Sequence, residues 1–247
     1  MKTRTPTELA RAILGSAAWS VFSLFVTIFF GTIGIVVALF LPYRLRYRFF
    51  GLWSRSIISG ASLFCGFKVR IEGEEHIPDK PGIVLSKHQS AWETLALQAL
   101  FPPQTWVLKR ELMWIPFLGW ALRLLEPIAI NRSSTRDAMK QMIAQGRRRL
   151  AQNRWVVVFP EGTRIPPGQQ GRYRKGGAVL ACETGARITP VAHNAGVVWP
   201  KNSFLKYPGE ITVRIGPPID PAGKDANQVL EEVQAWIERE SLALLPT

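Results

Sequence analysis

Two short segments carry the side chains most able to do chemistry. In the first, Ser86 to Glu93 (SKHQSAWE), an imidazole, His88, stands five residues before a carboxylate, Glu93. Such a pair suits general-base catalysis. An alcohol is a poor nucleophile at neutral pH, and a neutral imidazole can take its proton as it attacks an activated carbonyl. A carboxylate on the other ring nitrogen fixes the tautomer and stabilises the imidazolium that forms. Five residues on a continuous helix turn roughly 500°, which would put the two side chains on different faces. The pair therefore needs His88 ahead of a helix and Glu93 in its first turn. Ser90-x-x-Glu93 reads as a capping box, with Ser90 at the cap, and supplies that boundary. A purely structural reading, Glu93 bonding the Ser90 amide, overlaps with the catalytic one in geometry.

The second segment is Phe159 to Arg164 (FPEGTR). Pro160 and Gly162 force a turn, and Gly162 lets a ligand approach the backbone. Thr163 and Arg164 offer donors, and the planar guanidinium suits phosphate oxygens. Glu161 either orients that arginine or bonds a substrate hydroxyl. The alternative is an ordinary strand-ending turn. Lys109 and Arg132 each end a predicted strand, where ligands bind in α/β sheets. Arg172, Arg174 and Lys175 lie in the loop that follows, and Arg147 to Arg149 read as an exposed helix face. The histidines are His76, His88 and His193, with no HExxH, and Cys65 and Cys182 form no CxxC. Neither a metal site nor a disulfide framework is expected.

The elements that must position these groups alternate in type. Short apolar runs at 67–71, 82–85, 105–108, 127–130, 155–159, 188–192 and 211–215 read as strands. Helical stretches fall at 91–100, 133–152 and 177–184, and an amphipathic helix closes the chain over 226–244. The pattern predicts an α/β domain on a mixed, largely parallel central sheet with flanking helices. Met113 to Trp120 (MWIPFLGW) is read first as core, and otherwise as a membrane-facing patch or part of an acyl-chain groove.

No charged residue occurs from Ala12 to Tyr43. As one helix this stretch would run roughly 48 Å, against a bilayer core of about 30 Å. Either a single tilted span or two short helices broken near Gly31 and Gly34 would resolve the excess. Basic residues flank both ends: Lys2, Arg4 and Arg11 before it, and Arg44, Arg46 and Arg48 after it. That arrangement favours a hairpin and a cytoplasmic catalytic part. Residues 1–50 are expected to form a membrane-embedded anchor and 51–247 the catalytic domain. The net charge of +13 with 47% hydrophobic residues points to an anionic lipid surface or a phosphorylated substrate. Nucleic acid is disfavoured, because no binding motif accompanies the charge.

Taken together, these segments resemble the glycerolipid acyltransferases, most closely those that act on 1-acyl-sn-glycerol-3-phosphate. His88 with Glu93 resembles the family's His-x4-Asp motif, with glutamate in place of the usual aspartate. Ile130-Asn-Arg132 resembles the end of its second motif, Phe159–Arg164 its third, and Ile188 to Val191 its fourth; Lys109 to Leu112 is also similar. The resemblance spans roughly residues 50–220. It implies the acyltransferase fold, His88 as general base, and Arg132 with Glu161, Gly162, Thr163 and Arg164 holding the acceptor phosphate. It also implies an acyl thioester donor, acyl-CoA or acyl-carrier protein, a lysophosphatidic acid acceptor and no cofactor. A bacterial inner membrane is the implied location. A different lysolipid acceptor and a non-catalytic lipid-binding protein are the alternatives.

Overall fold

A computed structural model describes residues 5–115, 118–131 and 134–245. The chain begins with helix α1 (Pro6–Leu39), started by a Thr5/Glu8 capping box with Pro6 in the first turn. α1 is long and apolar enough to cross a membrane. It passes through Gly31 and Gly34 without a break, so of the two shapes weighed for this stretch the one broken near those glycines is not formed. The chain turns at Leu41–Pro42 and returns as α2 (Tyr43–Cys65). Gly34 serves packing instead: a Cβ there would meet Phe49 Cε1 of α2 at 2.5 Å. Likewise a Cβ on Gly15 would meet the Phe64 carbonyl oxygen at 2.3 Å, and one on Gly60 the Phe22 ring at 2.3 Å. Small residues let the two helices approach closely, and Trp19 Nε1 donates to the Ile57 carbonyl at 3.1 Å. Residue 50 falls inside α2.

The remaining elements are β1 (Phe67–Glu72), β2 (Ile83–Ser86), α3 (Trp92–Leu100), β3 (Gln104–Lys109), α4 (Leu118–Leu124), β4 (Ile128–Ile130), α5 (Thr135–Ala151), β5 (Trp155–Val158), α6 (Gly176–Thr184), β6 (Ile188–His193), α7 (Ala195–Val198), β7 (Gly209–Ile215) and α8 (Ala226–Ala243). All seven expected strands join one sheet in the order β1-β7-β6-β2-β5-β3-β4. Only the β6–β7 pairing is antiparallel.

Alternation along the central strands divides two cores. Val84, Trp155 and Val157 face α2 and α3 with Trp92, Leu97 and Phe101. Ile83, Leu85, Val156 and Val158 face the other side, with Met142, Leu180, Val229, Val233 and Ile237 from α5, α6 and α8. The connection from β2 passes β5 to reach β3, and that from β5 passes β2 to reach β6. The two crossovers leave in opposite directions. A crevice therefore opens at the carboxyl ends of β2 and β5, the usual ligand position in such sheets.

The core reading of Met113–Trp120 is corrected for its described residues. Trp114, Ile115 and Trp120 are exposed, with Trp114 at 70%. Gly119, by contrast, is buried, with the Met113 carbonyl 2.3 Å from where a Cβ would stand.

Candidate active site

β2 ends at Ser86, and its chain runs into the crevice as Lys87–His88. His88 lies before the first helical turn and Glu93 within it, because α3 starts at Trp92. The imidazole Nδ1 meets Glu93 Oε1 at 2.8 Å. The same oxygen accepts the backbone N–H groups of Gln89 at 2.9 Å and Ser90 at 2.8 Å. Helix cap and imidazole partner are thus one atom, and both readings of Glu93 hold. The capping differs from expectation in one respect. Ala91 occupies the cap position, and the Ser90 hydroxyl accepts from the Trp92 amide at 3.1 Å.

Glu93 is fully buried. Burial alone would raise its carboxyl, but the His193 and His88 rings beside it and the Ser90 amide outweigh that and hold it below the ordinary range. A carboxylate on Nδ1 means that this nitrogen carries the proton. Nε2 then presents a lone pair, on a ring that is partly exposed. The Phe159 ring stacks on the imidazole, centroids 4.2 Å apart and planes 20° apart, which restrains its rotation.

The FPEGTR segment follows β5, the strand beside β2. Gly162 has φ 67°, in the left-handed region that favours glycine, and its amide donates to the Phe159 carbonyl at 3.0 Å. This tight turn aims Glu161 inward. Glu161 Oε2 accepts the His88 amide at 2.8 Å, so Glu161 positions the histidine backbone and not Arg164. Thr163 is exposed and Arg164 half-exposed at the rim. The segment is tied back twice: the Ile165 amide donates to the His88 carbonyl at 2.8 Å, and the Arg174 amide to the Pro160 carbonyl at 2.8 Å. Exposed Arg172, Arg174 and Lys175 therefore belong to the same rim. Lys109 ends β3, two strands from β2 and so about 10 Å away along the sheet. It pairs in register with Ile130 of β4. Arg132 lies outside the described residues.

Beneath His88 the structure assembles groups that the sequence pattern did not single out. Lys87 is 1% exposed. Its Nζ lies 2.7 Å from Glu161 Oε1 and 2.7 Å from Glu238 Oε1 of α8, and donates to the Gln169 carbonyl at 3.2 Å. Tyr173 Oη donates to the same Glu238 oxygen at 2.8 Å. One ammonium thus serves two carboxylates. Burial raises the Glu161 carboxyl above its ordinary value, against the pull of Lys87. His193 is also buried. Its Nδ1 accepts the Ala195 amide at 3.3 Å, so Nε2 carries the proton and donates to the Lys87 carbonyl at 2.8 Å. Burial lowers its pKa, against the pull of Glu93. Both residues flanking the Lys87–His88 peptide are therefore held from below. Among the described residues, no cluster of three His, Cys, Asp or Glu side chains is placed to hold a metal ion.

A family model described as acyltransferase matches residues 68–194, just over half of the chain. A Pseudomonas aeruginosa protein named 1-acyl-sn-glycerol-3-phosphate acyltransferase is 45% identical over 220 residues, covering 87% of this chain and 86% of that protein. The chain belongs to the acyltransferase family. Further relatives of this acyltransferase include a chloroplastic protein of Arabidopsis thaliana with the same enzyme name, 30% identical across 81% of this chain and 56% of its own length. The crystal structure of PlsC, the 1-acyl-sn-glycerophosphate acyltransferase of Thermotoga maritima, matches with a TM-score of 0.78 and 24% identity. It covers 96% of this chain and 97% of that one, and so shares the fold across the hairpin as well as the sheet.

Proposed function

We propose that this acyltransferase moves an acyl group from an acyl thioester to the sn-2 hydroxyl of 1-acyl-sn-glycerol-3-phosphate, giving phosphatidic acid. The observation that carries the reading is the His88–Glu93 contact at 2.8 Å, at the carboxyl ends of β2 and β5 where the FPEGTR turn also sits. His88 Nε2 takes the hydroxyl proton as the oxygen attacks the thioester carbonyl carbon. Glu93 stabilises the imidazolium through Nδ1–H. The tetrahedral oxyanion is stabilised by Lys109 or by backbone amides at the crevice. It collapses with cleavage of the carbon–sulfur bond, and the thiolate takes the proton from His88. The products are the diacyl phosphate and a free thiol, with the histidine returned to its starting state.

Arg164, Arg132 and the Gly162–Thr163 turn hold the acceptor phosphate, and Glu161 holds the His88 backbone for the transfer. The donor is acyl-CoA or acyl-carrier protein. Residues 1–50 form the anchor in the inner membrane and 51–247 the catalytic domain on its cytoplasmic face, with the rest of α2 continuing from anchor into domain. The exposed apolar surface of α1 and the basic flanks support this placement.

The test is acyl transfer by detergent-solubilised protein, supplied with labelled oleoyl-CoA or acyl-carrier protein, lysophosphatidic acid and other lysolipids. Phosphatidic acid formed by the wild type and lost in His88→Ala is the expected result. Product from a different lysolipid alone would overturn the acceptor and keep the mechanism. No product with either donor would overturn the reaction.

A further inference from the structure

A second cleft lies away from His88, between α2 and α3. It encloses about 440 Å³, within the range of small-molecule sites, roughly 300–1,000 Å³. None of its lining residues belongs to the 86–93 or 159–164 segments. Its walls are apolar on both sides, with Leu45, Leu52 and Ile58 from α2 and Leu95 from α3. Leu45 and Leu52 remain exposed, at 44% and 51%.

Two features of α2 indicate that this cleft is built to be occupied. Arg48 and Arg55 line it on one helix face, seven residues apart, and both are exposed. Neither has an ion-pair partner among the described residues. Gly51, also on the wall, sits mid-helix with nothing within 4 Å of where its Cβ would be. Unlike Gly15, Gly34 and Gly60, it clears no neighbouring side chain or backbone. What it keeps open is the cleft.

We infer that this cleft binds an anionic phospholipid from the bilayer, at a site separate from the reaction centre. The phosphate pairs with the Arg48 and Arg55 guanidiniums. One acyl chain covers Leu45 and Leu52. The choice of a bilayer lipid over a free anion follows from the apolar walls and from α1, which packs along α2 and is long and apolar enough to lie in the membrane.

The full chain, purified in non-ionic detergent, is titrated with phosphatidylglycerol and with phosphatidylcholine, and bound lipid is counted by native mass spectrometry. One retained phosphatidylglycerol, preferred over phosphatidylcholine, is expected. Arg48→Gln and Arg55→Gln each weaken retention about tenfold, the worth of one charge-assisted hydrogen bond. Gly51→Leu fills the open space, so it abolishes retention while raising the thermal midpoint, since glycine is a poor helix former. His88→Ala retains the lipid as the wild type does, which separates this site from acyl transfer. Retention unchanged in Gly51→Leu, equal retention of phosphatidylcholine, or displacement by millimolar inorganic phosphate alone would each overturn the inference.

Discussion

Lys87→Met tests whether the buried charge cluster under His88 holds the site together. The substitution keeps the length of the side chain and deletes the ammonium that lies 2.7 Å from both Glu161 and Glu238. Breaking a buried pair by removing one partner costs about 3–5 kcal/mol, because the remaining charge has no compensation. For a chain of this size each kcal/mol moves the thermal midpoint by about 2–4 °C, so a fall of roughly 6–20 °C is expected. The sign with pH follows from Glu161. Burial already raises its carboxyl, and Lys87 opposes that rise. Without the ammonium the folded pKa rises further above the unfolded value of about 4.3. A raised acid favours the folded state at low pH, and that contribution is lost as pH rises through the folded pKa. The variant's deficit is therefore larger at pH 8 than at pH 5. Adding Glu161→Gln, whose carbonyl can still accept the His88 amide, recovers part of the midpoint. Thermal unfolding in detergent across this pH range reads all three effects. A midpoint unchanged within about 2 °C, or a deficit that does not vary with pH, would refute the reasoning, since the midpoint shift worked here is at least threefold larger.

Three further outcomes follow from the same geometry. Glu93→Gln keeps an acceptor for the Ser90 amide but cannot stabilise an imidazolium, so kcat falls by about 10²–10⁴ with KM little changed. Because Glu93 is held below its ordinary pKa, it contributes stability above about pH 4.3 that is lost as pH falls through its folded value; acid titration of thermal stability should show this slope in the wild type and lose it in Glu93→Gln. Arg164→Ala removes a charged donor from the rim and raises KM for the phosphorylated acceptor about tenfold or more, with a smaller effect on kcat, as steady-state kinetics over acceptor concentration would show. Gly34→Leu forces the Phe49 ring, 2.5 Å from the new Cβ, to move, costing about 1–3 kcal/mol in thermal unfolding, whereas Gly31→Leu, with nothing within 4 Å, does not lower the midpoint.

The sheet was legible because each strand is a short apolar run between turn residues, and local pattern suffices for that. The second helix was not. Tyr47, Phe50, Ser54, Ile57 and Ala61 are buried at helical spacing, but α2 packs against α1 on one side and α3 on another. The stripe is there in the sequence, but a domain boundary set at residue 50 cuts it in two and leaves neither half long enough to read as a helix. Of the two shapes weighed for the apolar stretch, the one broken near Gly31 and Gly34 is not formed, for a different reason. Glycine in a long apolar helix signals either flexibility or close approach, and only the position of Phe49 tells which applies at Gly34.

In the candidate site, His88, Glu93 and the FPEGTR turn could be found because each pairing is local or carried by a motif. The tie between Lys87 and Glu238 crosses 151 positions, and nothing in either neighbourhood announces the other. It has a consequence for how the site is built. The imidazole takes its orientation from Glu93 on α3 and from the Phe159 ring, while its backbone is set by Glu161, whose other oxygen is tied through Lys87 to α8. α3 packs in the core on one face of the sheet and α8 in the core on the other. His88 is thus the point where the two cores meet through charged contacts. Side-chain orientation and backbone position are governed from opposite faces, so damage to either core reaches His88 by a different route: rotation of the ring from the α3 side, displacement of its peptide from the α8 side.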